Sequence, residues 1–448
     1  MNLMKLYNRV PIFMQNIFTT AQGYLYKKER FGKVYYATLE ELRARNYGDL
    51  QELREYQDAL FTELVRHAAE NSPFYREFYK NIDLSQVRTV ADIEKLPRLP
   101  KETVRRNLPQ MYTVAPESAI KSETGGTTGT AMRFYYTKRD RQRRMAYLDF
   151  FKMRHGFVPM KMRRASFNSS RIVPATQKAK VFWRTNRAIK QRIYSAFHVK
   201  NNNLRYYVEN LNKFKPHSID GYPSAIFEVA NYILENNICL DFKPVAIFPT
   251  AETLLPHYRE AMEKAFGCPV RDQYASSEGA PFIVECTAGR LHYCMDNGVI
   301  EFNADGQMLV SCFDTHATPL IRYEIGDKAF LAEEQSCACG CKMPVVDHIE
   351  GRVIDYVLTR SRGRFPAVFL SCKGVPGVRY AQFVQDRVDA LLVKLVATEG
   401  SNHAETEKAI RKKFQYFLGE DMDIQVRFVE DVEKEPSGKF RYIINNVK

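Results

Sequence analysis

The chain has 448 residues, of which 45% are hydrophobic, and this apolar content excludes wholesale disorder and supports a large folded core. It contains no run of about 18 apolar residues, so the sequence predicts no transmembrane helix. The net charge of +14 favours anionic or phosphorylated partners but does not define a chemistry.

The cysteines and the N-terminal segment indicate a cellular compartment. The N-terminal residues lack the apolar stretch and the small-residue cleavage site of a signal peptide. All nine cysteines occur from Cys239 onwards, and an odd number without a secretory signal is unfavourable for a disulfide framework. We therefore expect a cytoplasmic protein with reduced thiols.

Hydrophobic spacing and capping residues predict the first elements. Asp49 is a suitable N-cap for a helix with apolar residues every three or four positions, which should end near Pro73. Two Leu-Pro dipeptides within 96–100 predict a loop that enters a short helix at Lys101. After a Gly/Thr-rich span, residues 134–136 are predicted to form a strand.

Residues 138–164 contain ten Lys or Arg residues and two Asp residues, with apolar residues between them. The pattern predicts a helix with a solvated basic face, on which Arg143 and Arg144 would steer an anionic ligand or attach to a surface. The interpretations that remain open are the phosphates of a bound ligand, peripheral membrane contact and a plain solvated face. No nucleic-acid-binding motif accompanies the stretch, so we expect no nucleic-acid partner.

The segment 245–278 reads as a βαβ unit. A buried strand at 245–248 is followed by a turn and by a helix from Pro256 to Phe266, which Gly267 ends. Residues 270–274 would return as a parallel strand. The turns at 250–253 and 274–279 should then lie at the carboxyl ends of neighbouring strands, where α/β sheets bind ligands.

The chain changes character after Gly351. Short β-rich runs occur within 367–397, a helix is predicted at 403–418, and residues 424–428 alternate as a strand does. We expect an α/β protein with a large N-terminal domain, residues 1–350, built from several subdomains with mixed or parallel sheets. A small, mobile α+β C-terminal domain, residues 351–448, would follow it.

Two motifs offer groups for a phosphorylated ligand. The run Thr-Gly-Gly-Thr-Thr-Gly at 124–129 exposes backbone N–H groups and hydroxyls that suit phosphate oxygens, although a flexible hairpin turn has the same composition. The run Tyr-Ala-Ser-Ser-Glu-Gly at 274–279 combines an aromatic ring, two hydroxyls and a carboxylate. These groups can stack a base, hold a phosphate and ligate a hard cation, or they can simply end a strand.

Two further motifs follow in the chain. In Arg-Tyr-Glu-Ile-Gly-Asp at 322–327, an Asp after a tight Gly turn suits acceptance from two ribose hydroxyls, or it belongs to an ordinary turn. In Lys-Glu-Pro-Ser-Gly-Lys-Phe-Arg at 434–441, a lysine on a Pro/Gly-framed loop can reach into a neighbouring domain. The alternative for the last motif is a solvated basic tail.

Taken in order, the four motifs resemble those of the adenylate-forming superfamily of acyl-CoA synthetases, nonribosomal-peptide adenylation domains and luciferases. Residues 250–254 and the Cys-Ala-Cys-Gly run at 337–340 are most similar to the phenylacetate–CoA ligase-like family, and the ending at 434–441 to its capsular-polysaccharide-biosynthesis branch. The resemblance implies an AMP-forming ligase that converts a carboxylic acid and ATP to an acyl-adenylate and passes the acyl group to coenzyme A. Alternatives are an amide- or ester-forming ligase of polysaccharide biosynthesis, a non-catalytic scaffold and a basic nucleic-acid-binding protein.

The resemblance also implies the residues around the phosphates. Ser277 would bind the α-phosphate, Glu278 would ligate Mg²⁺, and Lys439 would bridge the carboxylate substrate and the α-phosphate; these three are the expected catalytic residues. The residues that would hold the β- and γ-phosphates of ATP are Thr124, Gly125, Gly126, Thr127, Thr128 and Gly129.

The nucleoside is assigned by the same resemblance. Tyr274 would stack on adenine with Ala251 and Glu252 beside it. Asp327 would accept hydrogen bonds from the ribose hydroxyls, helped by Arg352.

Four soft ligands suggest a zinc site. Cys286, His292, Cys337 and Cys339 are of the types that hold tetrahedral Zn²⁺, but their spacing is not that of a common zinc finger, and the residues alone favour buried structural thiols. Some relatives in the phenylacetate-ligase-like family carry a zinc with this layout, and the resemblance therefore implies a structural zinc with Cys341 as the spare thiol. The expected cofactors are ATP, Mg²⁺, coenzyme A and Zn²⁺, and the sequence leaves homodimer formation open.

Overall fold

The structure of the protein is a computed structural model that describes residues 7–123, 132–168, 172–174, 177–199, 201–350, 357–360, 363–365, 372, 375–432 and 443–447. The helices are α1 (Ile12–Arg30), α2 (Lys33–Ala44), α3 (Leu50–Asn71), α4 (Pro73–Phe78), α5 (Lys101–Met111), α6 (Lys138–Arg154), α7 (Leu204–Phe214), α8 (Pro223–Glu235), α9 (Pro256–Phe266) and α10 (His403–Leu418).

The strands of the first part of the chain are β1 (Ile120–Glu123), β2 (Arg133–Tyr136), β3 (Arg164–Asn168), β4 (Trp183–Asn186), β5 (Gln191–Ser195), β6 (Ser218–Gly221), β7 (Ala246–Pro249), β8 (Gln273–Tyr274), β9 (Ile283–Glu285) and β10 (Leu291–Tyr293). Those of the second part are β11 (Gly298–Phe302), β12 (Gln307–Cys312), β13 (Tyr323–Leu331), β14 (Val345–Glu350), β15 (Val357–Thr359), β16 (Gly363–Phe365), β17 (Val378–Arg387), β18 (Ala390–Ala397), β19 (Asp423–Phe428) and β20 (Ile443–Asn445).

The chain divides into two compact units, Met1–Ile349 and Glu350–Lys448. The first unit holds a five-stranded sheet in the order β4-β5-β3-β6-β7, in which β5, β3, β6 and β7 are parallel and the edge strand β4 is antiparallel. It also holds the β1-β2 hairpin and a seven-stranded sheet in the order β11-β12-β13-β14-β10-β9-β8. The second unit has a four-stranded sheet, β19-β18-β17-β20, with α10 beside it. The predicted fold class, α/β with mixed sheets and a smaller α+β part, is confirmed.

Local capping signals give correct helix boundaries. The Asp49 side chain accepts hydrogen bonds from the N–H groups of Gln51 and Glu52 at the start of α3. The helix ends at Asn71, and Ser72 then accepts from the N–H of Tyr75 at the start of α4. Each signal acts on residues two or three positions away, so the sequence contains all of it.

The basic stretch differs from its prediction. Helix α6 begins at Lys138, after Thr137 and Asp140 form a capping box, but Arg143 and Arg144 are 7% and 5% exposed. Arg143 Nε donates to Asp314 Oδ1 at 2.7 Å, and Arg144 Nη1 donates to the Gly279 carbonyl at 2.6 Å. The expected solvated basic face is therefore wrong at these residues, because both guanidinium groups are buried inside the first unit, Arg143 against a carboxylate and Arg144 against backbone carbonyls.

The first strand and the helix of the predicted βαβ unit are confirmed, but its second strand is wrong. Strand β7 and helix α9 occur as expected, and Gly267 ends the helix with a φ of 64°. Val270 forms one parallel bridge with Ile247, but β8 then pairs antiparallel with β9 in the seven-stranded sheet. The chain thus passes from one sheet to the other between Val270 and Gln273. Gln273 Nε2 donates to the Pro249 carbonyl at 3.1 Å, which joins the ends of β7 and β8.

The second unit matches its prediction where it is described. Asn402 caps α10 through the N–H groups of Ala404 and Glu405, and Ile410 and Phe414 are buried on one side of the helix. Strand β19 runs parallel to β18, while the β-rich run 367–370 lies outside the described residues. None of the helices in the described ranges is long and apolar enough to cross a membrane.

Candidate active site

Tyr274, the last residue of β8, is in contact with Asp327, which lies in the middle of β13 in the same seven-stranded sheet. The Tyr274 hydroxyl donates to Asp327 Oδ2 at 2.7 Å, and Asp327 follows Gly326, whose φ of 86° is in the left-handed region. Burial and the charge of Asp327 raise the pKa of Tyr274 well above its usual value, so the phenol stays a protonated donor. Two residues assigned to one nucleoside, 53 positions apart in the chain, are therefore in contact.

The turn that contains Ser277 is bonded to both strands of the β1-β2 hairpin. The Ser277 carbonyl accepts from Ser122 Oγ at 3.1 Å and from the Tyr136 hydroxyl at 2.9 Å. Ser122 lies in β1 and Tyr136 in β2, the strands on either side of the Gly/Thr run. Its residues, Thr124, Gly125, Gly126, Thr127, Thr128 and Gly129, lie outside the described residues. The strands that lead into and out of this run are held against the Ser277 turn.

Glu278 and Gly279 lie in a closely packed turn of the site. Glu278 is 4% exposed, and Gly279 has a φ of 93°. A Cβ at Gly279 would lie 2.5 Å from Thr315 Cγ2 and 2.8 Å from the Tyr136 hydroxyl, so only glycine fits here. Arg144, which donates to the Gly279 carbonyl, is 135 residues away along the chain, and no sequence pattern predicts this contact.

Ala251 and Glu252 lie in the turn after β7. Ala251 has a φ of 71°, which is strained for a residue with a Cβ and is a common feature of functional turns. Glu252 Oε2 accepts from the N–H of Ser224 at 3.1 Å, near the start of α8. Glu252 therefore has a structural contact that its assignment beside adenine does not require.

Arg322, the first residue of the motif at 322–327, is a structural residue. Its guanidinium donates to both carboxylate oxygens of Glu301, with Nε at 3.1 and 3.0 Å, and to the Leu96 carbonyl at 2.5 Å. These contacts fix the segment before Asp327 to the Leu-Pro loop, and Leu99 bridges Tyr323 in parallel. Arg352 and Lys439 lie outside the described residues, and their roles stay predictions.

The four predicted zinc ligands come together in the first unit. The ligand atoms of Cys286, His292, Cys337 and Cys339 all lie within 4.8 Å of one another. Cys286 follows β9 and His292 lies in β10, its antiparallel neighbour. The loop with the other two cysteines is fixed by Arg290, whose guanidinium donates to the carbonyls of residues 334 and 336.

Two of the six distances within this group are those of a tetrahedral metal site. The Sγ atoms of Cys286 and Cys337 are 3.7 Å apart, and Cys339 Sγ is 3.5 Å from His292 Nε2. In tetrahedral zinc with bonds of about 2.3 Å to sulfur and about 2.05 Å to nitrogen, the sulfur–sulfur distance is about 3.8 Å and the sulfur–nitrogen distance about 3.5 Å. His292 Nδ1 donates to the Met343 carbonyl at 2.9 Å, which leaves Nε2 as the ligand atom. The residues present therefore fit a zinc ion.

Comparison with known proteins agrees with this architecture. The chain is similar to a 2-hydroxyisobutyryl-CoA ligase solved in the postadenylation state in complex with R3-HIB-AMP. The two share 17% sequence identity, with a TM-score of 0.70 over 88% of this chain and 90% of that one. This chain is also 23% identical to the phenylacetate-coenzyme A ligase of Aromatoleum evansii, over 85% of this chain and 91% of the relative. The fold is that of the adenylate-forming superfamily.

A nearer relative defines the family. The chain is 39% identical to Protein CapK of Staphylococcus aureus over 99% of both chains. Residues 359–446 match the family model of the CapK C-terminal domain. The chain belongs to the CapK-like family of the adenylate-forming superfamily.

Proposed function

We propose that the protein is an AMP-forming ligase that activates a carboxylic acid with ATP and transfers the acyl group to an acceptor, with coenzyme A as the first candidate. The observation that carries the proposal is the hydrogen bond between Tyr274 and Asp327 at 2.7 Å. It combines an aromatic face for a base with a carboxylate for ribose hydroxyls. Membership in a family whose superfamily includes acyl-CoA ligases supports it.

The triphosphate would lie between the β1-β2 hairpin and the Ser277 turn. The run 124–129 would donate N–H and hydroxyl groups to the β- and γ-phosphates, and Ser277 would bind the α-phosphate. Glu278 would hold Mg²⁺, which supplies positive charge to the phosphate oxygens as the acid attacks. The Arg144 bond to Gly279 keeps the turn rigid, so the donors need little reorganisation when charge develops.

Lys439 would complete the first half-reaction from the C-terminal domain, residues 351–448, while residues 1–350 bind ATP and the acid. The carboxylate oxygen forms a bond to the α-phosphorus, the bond from this phosphorus to the bridging oxygen breaks, and pyrophosphate leaves. The ammonium group of Lys439 would stabilise the negative charge at that phosphorus. In the second half-reaction, a thiol attacks the acyl carbon, AMP leaves, and Lys439 is not required.

The experiment is a pyrophosphate-release screen over a panel of carboxylic acids with ATP, with and without coenzyme A. Release without coenzyme A establishes adenylate formation, and a thioester product identifies the acceptor. Release followed only by amide or ester formation with an added amine or sugar would favour the alternative ligase of polysaccharide biosynthesis. No release with any acid under conditions where the protein is folded would contradict the proposal.

Lys439→Ala separates the two half-reactions. The variant should lose most acyl-adenylate formation and keep thioester formation from a supplied acyl-adenylate. Lys412→Ala, at an exposed lysine of α10, is the matched control and should leave both rates unchanged. An equal loss of both half-reactions in folded Lys439→Ala would refute the assignment of this lysine.

We also propose that Cys286, His292, Cys337 and Cys339 hold one structural zinc ion. The support is the agreement of two edge lengths with tetrahedral geometry and the fixed orientation of the His292 ring. When bound, the metal would cross-link the β9-β10 hairpin to the loop that carries the two later cysteines.

A further inference from the structure

Helix α1 is oriented with its polar side chains towards the protein. Its buried residues are Gln15, Thr19 and Gly23, which lie four positions apart and therefore on one face of the helix. A helix on the surface of a globular protein ordinarily buries its apolar stripe instead. Two things therefore need a physical reason: the polar side chains on the inner face of α1 and the apolar side chains on its outer face.

The inner face is explained by the sheet edge that it covers. Strand β4 is the edge of the five-stranded sheet, so one side of its backbone has no strand partner. Asn16 Oδ1 accepts from the N–H of Thr185 at 2.8 Å, and Thr20 Oγ1 donates to the Thr185 carbonyl at 3.2 Å. Gln15 Oε1 accepts from Arg184 Nε at 2.6 Å. Polar residues are therefore needed on this face to satisfy the edge of the sheet.

The outward face of α1 has no such partner among the described residues. It consists of Phe13, Ile17, Phe18, Tyr24 and Leu25, all of them exposed; Tyr26 is exposed too, but lies on the face of Gln15 near the end of the helix. Phe13 is 65% and Leu25 is 70% exposed. Among the large hydrophobic side chains that are exposed in the described ranges, the others are Tyr36 in the next helix and Leu331. A monomeric protein rarely concentrates its exposed aromatic and aliphatic side chains in this way unless the surface binds something.

The charges beside this face are positive. Lys27, Lys28 and Arg30 lie in the last turn of α1. Glu29, in the same turn, is the only acidic residue in the whole helix. Arg187 is exposed, and its N–H donates to Thr20 Oγ1 at 3.2 Å, which places another cation next to the helix. Bulky apolar residues with Lys and Arg at the rim are the composition of a helix that lies in the interface of an anionic membrane.

We propose that the outward face of α1 binds the surface of an anionic phospholipid bilayer, with the aromatic and aliphatic side chains inserted at the level of the headgroups. The helix spans 19 residues, about 28 Å, and would lie parallel to the membrane plane. A second copy of the chain is a weaker occupant, because it would bring the same positive rim and no acidic complement. This inference goes beyond the proposed ligase activity and does not depend on it.

The test is sedimentation of the full chain, tagged at its C-terminus, with phosphatidylcholine vesicles that contain or lack roughly 30% phosphatidylglycerol. The wild-type chain should bind the anionic vesicles and bind poorly to the neutral ones. Ile17→Asn with Leu25→Asn should weaken binding by about tenfold or more, since two inserted apolar side chains are replaced by amides. Leu331→Asn is the matched control, because it makes the same change at an exposed leucine away from the helix, and it should bind as wild type.

Charge reversal tests the electrostatic part. Lys28→Glu with Arg187→Glu should weaken binding by about tenfold at low salt, and the difference should narrow as salt screens the surface potential. Lys412→Glu, at an exposed lysine of α10, should have no effect. Thermal melting of every variant identifies any that fails to fold.

Three results would overturn the proposal. One is a folded wild-type chain that does not bind anionic vesicles at low salt. Another is an equal loss of binding in Leu331→Asn. The third is a dimer, seen by light scattering without lipid, that the Ile17→Asn and Leu25→Asn pair dissociates while vesicle binding is absent, which would assign the face to a second copy.

Discussion

Replacement of Tyr274 by Phe is the sharpest probe of the nucleoside site. It keeps the ring that would stack on adenine and removes only the hydroxyl that donates to Asp327 at 2.7 Å. A hydrogen bond to a charged acceptor contributes about 1.5–3 kcal/mol, but in the proposed complex this bond is kept when the nucleotide binds, so its energy does not enter the affinity. Only the cost of orienting the Asp327 carboxylate without this donor should affect nucleotide binding, about 0.5–1.5 kcal/mol. We therefore expect the KM for ATP to rise about two- to tenfold.

The assay is pyrophosphate release at varied ATP with the acid saturating, and then at varied acid with ATP saturating. The KM for the acid and kcat should stay near the wild-type values, because the hydroxyl contacts neither the acid nor the reacting phosphorus in the proposed complex. Tyr194→Phe is the matched control, since it removes a buried tyrosine hydroxyl that donates to Asn210 Oδ1 at 2.8 Å in the other sheet. It should affect stability and leave both KM values unchanged.

A double-mutant cycle decides the assignment. Asp327→Ala should raise the KM for ATP further, because both ribose hydroxyls lose their acceptor. If Tyr274 acts through Asp327, then Tyr274→Phe should have no further effect in the Asp327→Ala background. Additive effects, or a change in the KM for the acid rather than for ATP, would refute the reasoning.

Three other predictions concern the metal and the buried charges. Cys339→Ser should lose the zinc, seen by elemental analysis, and lower the Tm, because the cross-link is broken. Burial lowers the pKa of His316, but the hydrogen bond to Asp140 and the charge of Asp140 raise it, and the net direction is upward. The pair of His316 and Asp140 therefore stabilises the fold most below about pH 6.5, and this stabilisation declines as the pH rises. His316→Gln should then cost more in urea unfolding near pH 5.5 than near pH 8.5, as rough settings on either side of that value. Arg143→Met leaves Asp314 buried without its cation and should cost about 3–5 kcal/mol.

Controls separate these effects from general damage. Cys341→Ser should retain one zinc per chain if that thiol is the spare one, and zinc lost from it would change the ligand set. Arg139→Met, at an exposed position of α6, should change the unfolding free energy by less than about 0.5 kcal/mol. If the stability cost of His316→Gln did not depend on pH, the proposed ion pair between His316 and Asp140 would be contradicted. If Arg143→Met were as stable as wild type, the stabilising role of the buried pair between Arg143 and Asp314 would be contradicted.

Prediction from the sequence succeeded where the signals are local. Asp49 and Gly267 each act within a single turn of helix, and both boundaries are correct. The prediction for α6 failed because its partners are distant: Asp314 is 171 positions from Arg143. A helix with buried ion pairs and a helix with a solvated basic face have the same composition, so only the tertiary structure distinguishes them.

The candidate site shows the same limit. The resemblance named Tyr274 and Asp327, but nothing in their spacing predicts the bond between them. The second strand of the βαβ unit was assigned to the wrong sheet after Val270, because a short β-rich run does not specify its partner. The four Cys and His residues that come together were named from the sequence because their side-chain types are distinctive and because the resemblance implies this layout. The roles of the run 124–129 and of Lys439 stay predictions.

The bonds from Asn16 and Thr20 to Thr185 also affect how the protein can be shortened. They occupy backbone groups of an edge strand that would otherwise be open to strand addition from another chain. Removal of the first 30 or so residues would uncover that edge, and the truncated chain should associate edge to edge and aggregate. Helix α1 thus acts as a cover against self-association, and expression of this protein should begin upstream of it.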